Sequence, residues 1–490
     1  MRSVRGRKKI EELCADILQD ESNVPGAWCE MAGWPETPEE AEDFMGEAAE
    51  SGLQLTVSGG LTGVAGGALP RGGAVLSASL MKGMEMLENG NVRVGGGVTL
   101  EELREFLAVH APGHFYPPDP TEETASAGGT IATDASGGGS FLYGSTRRWV
   151  ESASVVLPGG KTVVLRRGGH RFSDRVCTHP LIGRMELPAL RSEQPAKNAA
   201  GYHIRPDMDL LDLFIGSEGT LGVVALAELK LAPRPRYLMD LAVFPESSSS
   251  FWDLYRSLLY PGPTLRLRAL EMMDRRCVSF LRDHPGELPP PPGKAEFVLL
   301  LTAEAGGEDE LEETLVSLDD LLVKCGIDPD TAWGGFEPAE RRRMKELRHS
   351  LPESVNNRIS RLRNEFPEIH KFGSDGAVEP RRLKEYYDRC VDILERKQLP
   401  FLIFGHAGQG HLHANALPES PGALAAAEEA MREIAAAAVE MDGTISAEHG
   451  LGRLKQSYLP LMYSPEEIRG MNRVRKTIDP EGVLAPAIRF

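Results

Sequence analysis

The sequence predicts an α+β protein of two or three domains, and three observations carry that expectation. The chain has 490 residues, enough for more than one sizeable core. Strand-like and helix-like segments alternate with short connections from about residue 38, the pattern of layered sheets and helices. That pattern stops at Pro233-Arg234-Pro235 and then restarts, which marks a boundary between two parts.

Residues 1–35 read as an N-terminal helical extension, centred on Ile10 to Leu18. Pro38 to Ser51 reads as a helix ended by Gly52, and Leu53 to Val57 as the strand after it. Ala74 to Ser79 and Asn91 to Val94 are further strands. Leu100, Leu103 and Leu107 give Leu100 to His110 the spacing of a helix. Residues 112–145, rich in Gly, Ser, Thr and Pro, form a loop, and loops of that length are usually functional. Ser152 to Leu157 and Thr162 to Leu165 are strands about the turn Pro158-Gly159-Gly160, and 166–200 reads as an irregular insertion or lid.

After the boundary come a strand (Leu238 to Phe244), a helix (Ser250 to Tyr260), a strand (Arg266 to Glu271) and a helix (Asp274 to Asp283). The proline cluster 289–292 is a loop, followed by a strand from Glu296 to Ala303 and a helix from Glu308 to Cys325. Two β-α-β-like halves of this kind imply a sheet with helices on one face. Ala423 to Met441, rich in alanine, is a helix.

Lys plus Arg number 54 against 72 Asp plus Glu, for a net charge of -18. Nucleic acid and anionic membranes are poor partners for such a surface. A small anionic substrate needs only a local basic pocket. The six cysteines are scattered without a C-x-x-C pair, which argues against an iron–sulfur cluster or zinc ribbon in this chain and fits a reducing compartment. The basic start is followed by Glu11-Glu12 rather than an apolar core, and no apolar run reaches the roughly 20 residues of a membrane span. The expectation is a cytoplasmic protein with no integral membrane segment.

Chemistry concentrates in two places. Gly405-His406-Ala407-Gly408-Gln409-Gly410-His411-Leu412-His413 puts three histidines within eight residues, and Ser446-Ala447-Glu448-His449-Gly450 follows. Imidazoles and a carboxylate are the usual ligands of zinc and similar divalent ions. If Gly410 to Ala414 is extended, His411 and His413 lie two apart on one strand face and could chelate together. The step from 406 to 413 requires a loop, which Gly408 and Gly410 permit. Lone histidines such as His110, His203 and His284 are ordinarily surface or core residues.

The second place is a set of glycine-rich segments. Ser58-Gly59-Gly60-Leu61-Thr62-Gly63-Val64-Ala65-Gly66-Gly67 lies between two strands, and its main-chain N–H groups can ring a diphosphate. It lacks the G-x-G-x-x-G pattern and the strand-to-helix setting of a nicotinamide site. Pro118-Asp119-Pro120-Thr121, Gly128-Gly129, Thr133, Ser136-Gly137 and Tyr143-Gly144 follow, and later Gly216-Ser217-Glu218-Gly219-Thr220-Leu221-Gly222-Val223.

Taken in order, these segments resemble the FAD domain of the vanillyl-alcohol oxidase and p-cresol methylhydroxylase superfamily, over residues 36–236. Residues 237–477 resemble the cap of FAD-linked enzymes acting on D-2-hydroxy acids: D-lactate dehydrogenases, the glycolate oxidase flavoprotein subunit and D-2-hydroxyglutarate dehydrogenase. Their pattern is roughly G-H-x-G-D-G-N-L-H followed by S-x-E-H-G-x-G. The resemblance implies a two-subdomain FAD-binding domain, a ferredoxin-like α+β cap and a tail, 478–490, that returns to the FAD domain.

It further implies that Ser58, Gly59, Gly60, Leu61, Thr62, Gly63, Gly66 and Gly67 wrap the FAD diphosphate. Pro118, Asp119, Pro120, Thr121, Gly128, Gly129, Thr133, Ser136, Gly137, Tyr143, Gly144, Glu218, Gly219, Gly222 and Val223 would line the rest of the cofactor. By the same resemblance His406, His413 and Glu448 hold a divalent metal such as zinc, and His449 is the general base. Arg348 and Lys371 would receive a substrate carboxylate; His411, which stands where the pattern has Asn, is a further candidate catalytic residue.

Four departures stand out. Leu61 replaces a usual glycine, and Gln409 and His411 replace Asp and Asn. The chain ends Ala485-Pro486-Ala487-Ile488-Arg489-Phe490, where relatives carry a variant of N-P-G-K. The first loop holds no histidine, so the FAD is expected to be non-covalent. The implied activity is oxidation of a 2-hydroxy acid to the 2-oxo acid. Two other readings stay open: a non-redox flavoenzyme like alkylglycerone-phosphate synthase, and a non-catalytic FAD-binding subunit of a larger complex. The electron acceptor is also open, with a homodimer and a separate acceptor subunit both compatible.

Overall fold

Helix starts in this chain follow their caps. The computed structural model describes residues 1–195, 197–262, 264–283 and 290–490; His284 and the first proline of the 289–292 cluster lie outside them. Thr37 accepts the Glu40 N–H and Pro38 opens the helix Pro38–Glu50, which buries Ala41, Phe44, Met45 and Ala48. That three-and-four spacing makes one apolar stripe. The helix Leu100–His110 begins at a capping box between Thr99 and Glu102 and buries Leu103 and Leu107.

The chain forms two units: 1–137 with 144–234 and 446–490, and 138–143 with 235–445. In the first, a four-stranded sheet runs in the order Arg2–Arg5, Met31–Trp34, Ala74–Ser77, Leu55–Ser58. Its last three strands are parallel. A five-stranded antiparallel sheet runs Met84–Met86, Val92–Gly95, Val223–Leu229, Val150–Leu157, Lys161–Arg166. One apolar core joins Phe44 and Met45 of the helix to Leu55 and Leu76 of the first sheet and to Val156, Val223 and Ala225 of the second. The tail adds to this unit: the Leu55 N–H donates to the Val483 carbonyl at 2.7 Å, and the Ala485 N–H to that of Leu55 at 2.8 Å.

In the second unit an antiparallel sheet runs Trp333–Gly335, Tyr237–Val243, Val298–Ala305, Arg266–Met273, Phe401–Gly405, His411–Ala416, Phe372–Gly373, with Gly376–Ala377 also paired to His411–Ala416. Successive residues of a strand face opposite sides. Leu299 and Leu301 accordingly join a core with the helices Ser248–Leu259, Glu308–Lys324, Leu383–Arg396 and Leu424–Glu440. Val298 and Leu300 join another with Arg275–Asp283 and Pro338–Arg363. Both faces are covered, not the one face expected. The long helix Pro338–Arg363 is highly charged and contains Pro352, so its periodicity is weak.

Three further differences concern loops. The 112–145 stretch contains two short helices, Ala127–Thr133 and Ser140–Tyr143. The 166–200 stretch contains a hairpin of Val176–His179 and Gly183–Glu186. Ser446 onward folds with the first unit, ahead of the expected boundary at 477. Cys14, Cys29, Cys177, Cys277, Cys325 and Cys390 are all unpaired. No helix among the described residues is long and apolar enough to cross a membrane.

Candidate flavin cradle and histidine wall

In the first unit the strand Leu55–Ser58 runs directly into the first glycine loop. The Gly60 and Gly129 N–H groups both donate to Ser126 Oγ, at 3.1 and 3.2 Å. Ser126 also caps the helix Ala127–Thr133, so one hydroxyl ties this loop to the segment carrying Gly128, Gly129 and Thr133. Leu61 sits at φ 58°, where a side chain costs roughly 1–2 kcal/mol. The loop thus keeps a glycine-like backbone without the glycine.

These residues fit a bound diphosphate. Gly60 and Gly63 are exposed, and a Cβ on Gly63 would meet nothing within 4 Å. The buried Ser58 hydroxyl has no hydrogen-bond partner among the described residues. An exposed glycine loop beside an unsatisfied buried hydroxyl suits an anionic oxygen-rich ligand. Gly59, Thr62, Gly66 and Gly67 complete the same loop. Gly137 packs on the segment Pro118 to Thr121: a Cβ there would lie 2.1 Å from the Asp119 carbonyl oxygen. Gly222 and Val223 lead into the central strand Val223–Leu229.

Tyr143 belongs to the second unit, one residue before the chain re-enters the first at Gly144. Its hydroxyl donates to Glu304 at 2.5 Å, and burial together with that carboxylate pushes the phenol up to about 12. Glu218, next to Gly219, has a specific task inside the first unit. Its carboxylate accepts the N–H groups of Leu451 and Gly452 at 2.9 and 2.8 Å. Burial raises its pKa, while those two hydrogen bonds and Lys455 act in the opposite direction.

The segment held this way carries Glu448 and His449. Glu448 Oε1 accepts from Lys197 Nζ at 2.6 Å and from Ser136 Oγ at 2.8 Å. The Lys197 and Glu448 side chains are each 10% exposed, which makes this a largely desolvated ion pair.

In the second unit a hairpin closes the step between the histidines. Phe401–Gly405 pairs with His411–Ala416 so that Phe404 faces His413. Between them lie the turn Ala407–Gln409 and Gly410 at φ 68°. His411 and His413 share one face of their strand, while Leu412 points into the helical core. The rings of His406, His411 and His413 have centroids 4.4 to 5.8 Å apart, and one ligand nitrogen from each lies within 4.8 Å of the others.

Each ring is oriented from behind. His406 Nδ1 lies 2.6 Å from Glu271 Oε1, His411 Nε2 lies 2.9 Å from Asp375 Oδ1, and His413 Nδ1 lies 3.4 Å from the Ser374 carbonyl. Burial would raise the Glu271 pKa, but Arg348 at 3.2 Å and His406 hold it well below the usual carboxylate range. A carboxylate or carbonyl behind each imidazole is the usual support of a metal-binding histidine. The donor set fits a borderline divalent cation such as zinc. Lys371 is exposed, and its Nζ donates to Asn356 of the long helix at 2.7 Å.

Residues 30–166 match the family model for an FAD binding domain, and residues 262–488 match that for the C-terminal domain of FAD linked oxidases. The chain carries the domain pair of the FAD linked oxidases. It is therefore an FAD-linked oxidoreductase. A D-lactate dehydrogenase of Archaeoglobus fulgidus is 29% identical over 92% of this chain and 89% of its own. A D-lactate dehydrogenase of Anaerostipes hadrus is 29% identical over 97% and 93%. A glycolate oxidase subunit of Bacillus subtilis is 27% identical over 93% and 88%. Among solved structures an alkyldihydroxyacetonephosphate synthase superposes with a TM-score of 0.60 at 15% identity, covering 94% of this chain and 77% of that one. At that identity the likeness speaks for the fold alone.

Three residues of this FAD linked oxidase escaped the sequence reading. Glu271, Asp375 and Lys197 are single acidic or basic residues with no motif of their own. For Asp375 a signal existed, because it follows Lys371-Phe372-Gly373-Ser374, a segment already marked for its lysine. Glu271 closes a predicted strand, where a buried carboxylate is unusual.

Proposed function

We propose that this FAD linked oxidase converts a small 2-hydroxy acid of the D-lactate, glycolate or D-2-hydroxyglutarate kind into its 2-oxo acid. The observation that carries the reading is the hairpin wall, where three imidazoles stand together and Glu271 joins one of them to the Arg348 guanidinium. A cation for the carboxylate and nitrogen ligands for a metal that takes the hydroxyl thus sit on one unit. The relatives' names support the same substrate class.

Net oxidation removes the hydroxyl proton and a hydride from Cα. Bound FAD supplies the hydride acceptor, and a divalent cation the Lewis acidity that lowers the hydroxyl pKa. His406, His413 and Glu448 would hold that cation. His449, an imidazole suited to proton transfer near neutral pH, takes the hydroxyl proton. Arg348, steadied by Glu271, pairs with the substrate carboxylate. Lys371 adds a positive charge that draws anions to this unit. In this reading the FAD is non-covalent, the second unit is a ferredoxin-like cap and the reaction is cytoplasmic. Electrons leave to a partner subunit or a small acceptor.

Anaerobic flavin absorbance tests the proposal. Addition of D-lactate, glycolate or D-2-hydroxyglutarate should bleach the band near 450 nm, and a chelator should slow the bleaching. A yellow protein that none of the three acids bleaches would overturn the hydroxy-acid reading.

A further inference from the structure

We infer that His411 is a metal ligand in its own right, so that the second unit by itself presents a three-histidine site. This rests on the metal-assisted reading above and makes it specific. The motif that this sequence resembles has Asn where His411 stands, so the inference concerns a property of this chain.

Three observations carry it. His411 is fully buried at 0% exposure, and imidazole is rarely placed in a core without polar company. Its ring centroid lies 4.4 Å from that of His413 and 5.4 Å from that of His406, so its nitrogen is inside the same ligand group. Its Nε2 lies 2.9 Å from Oδ1 of the buried Asp375. That carboxylate is a charge partner on the Nε2 side of the ring, and Nδ1 is the nitrogen assigned to the metal. His406 is oriented the other way round: Glu271 takes the proton on Nδ1, and Nε2 is the donor. His413, with Nδ1 toward the Ser374 carbonyl, follows the His406 pattern. Each ring thus has a carboxylate or carbonyl close to one nitrogen, the kind of support a metal-binding histidine has, and a second nitrogen to offer a cation.

The chemical consequence is that this unit contributes three neutral nitrogen ligands, a set that favours zinc, cobalt or copper over magnesium and calcium. A third imidazole also takes a coordination position that a substrate oxygen would otherwise use. The bound hydroxy acid then reaches the metal through one oxygen, and its carboxylate depends more on Arg348.

The test uses the full-length flavoprotein loaded with zinc or cobalt(II). X-ray absorption fine structure on the wild type should count three imidazoles around the metal. His411→Asn should reduce that count to two and weaken zinc binding at least 10- to 100-fold in a chelator competition, with flavin content and circular dichroism unchanged. Asp375→Asn should weaken binding by a smaller factor with the count still three. A wild-type count of two, or His411→Asn with unaltered affinity, overturns the inference while leaving metal assistance standing. A wild type that takes up no metal overturns both. Because the imidazole count is made on the wild type, a variant that fails to fold leaves the inference open to refutation.

Discussion

Glu218 accepts the main-chain N–H of Gly452 at 2.8 Å and, through its other oxygen, that of Leu451 at 2.9 Å. The residue comes from the third glycine segment, and the backbone it holds begins two residues after His449. Glu218 itself sits at φ 52°, so the strain of the glycine loop is held against a two-pronged hydrogen bond. Glu218→Gln keeps the size but turns one prong into an N–H facing another N–H. The expected loss is about 1–3 kcal/mol of stability, read by urea unfolding. If the segment positions His449, kcat should fall with little change in KM. A variant with wild-type stability and kcat would show that the contact is incidental.

The Lys197–Glu448 pair yields a second expectation. Both side chains are nearly buried, and removing one partner of such a pair leaves an uncompensated charge worth about 3–5 kcal/mol. Lys197→Met should therefore destabilise the protein strongly, and Lys197→Met with Glu448→Gln together should destabilise it less than Lys197→Met alone. Additive losses in that double-mutant cycle would mean the two charges do not support each other.

The sequence was most legible where local chemistry and the final fold agree. Leu100–His110 is found at its expected bounds because capping residues and apolar spacing coincide there. Pro338–Arg363 was not legible, since a charged helix with an internal proline shows little periodicity, and with it went the setting of Arg348. The histidine run was visible from its composition, and the condition for His411 and His413 to share a face is met by the strand His411–Ala416. The residues behind the imidazoles were invisible: Glu271 is 135 positions from His406, and only the paired strands Arg266–Met273 and Phe401–Gly405 bring them together.

His203 supplies a pH-dependent expectation away from the histidine wall. Burial, with Arg147, Arg205 and Arg167 nearby and Asp212 opposing them, lowers its pKa from 6.5 to about 3. The folded protein thus keeps it neutral where the unfolded chain would protonate it. Its contribution is complete above 6.5 and declines as pH falls toward 3. Between pH 7 and 5 the decline is about 2 kcal/mol. His203→Asn should lose less stability than the wild type over that interval in urea unfolding. Parallel curves for the two proteins would place the acid sensitivity elsewhere.

Two glycines separate the needs of the fold from those of the cofactor. A Cβ on Gly137 would lie 2.1 Å from the Asp119 carbonyl oxygen, whereas one on Gly63 would touch nothing within 4 Å. Gly137→Ala should therefore destabilise the protein even after FAD is removed, because main chain must move to admit the methyl group. Gly63→Ala should leave the stability of the FAD-free protein within about 0.5 kcal/mol, as is usual for a site away from core contacts. If the loop wraps the diphosphate, that methyl group stands where the cofactor must approach the backbone. FAD affinity should then fall about tenfold, equivalent to about 1.4 kcal/mol, in a fluorescence titration of the reconstituted protein. Unchanged FAD affinity in Gly63→Ala would move the diphosphate away from this loop, whatever the stability of Gly137→Ala.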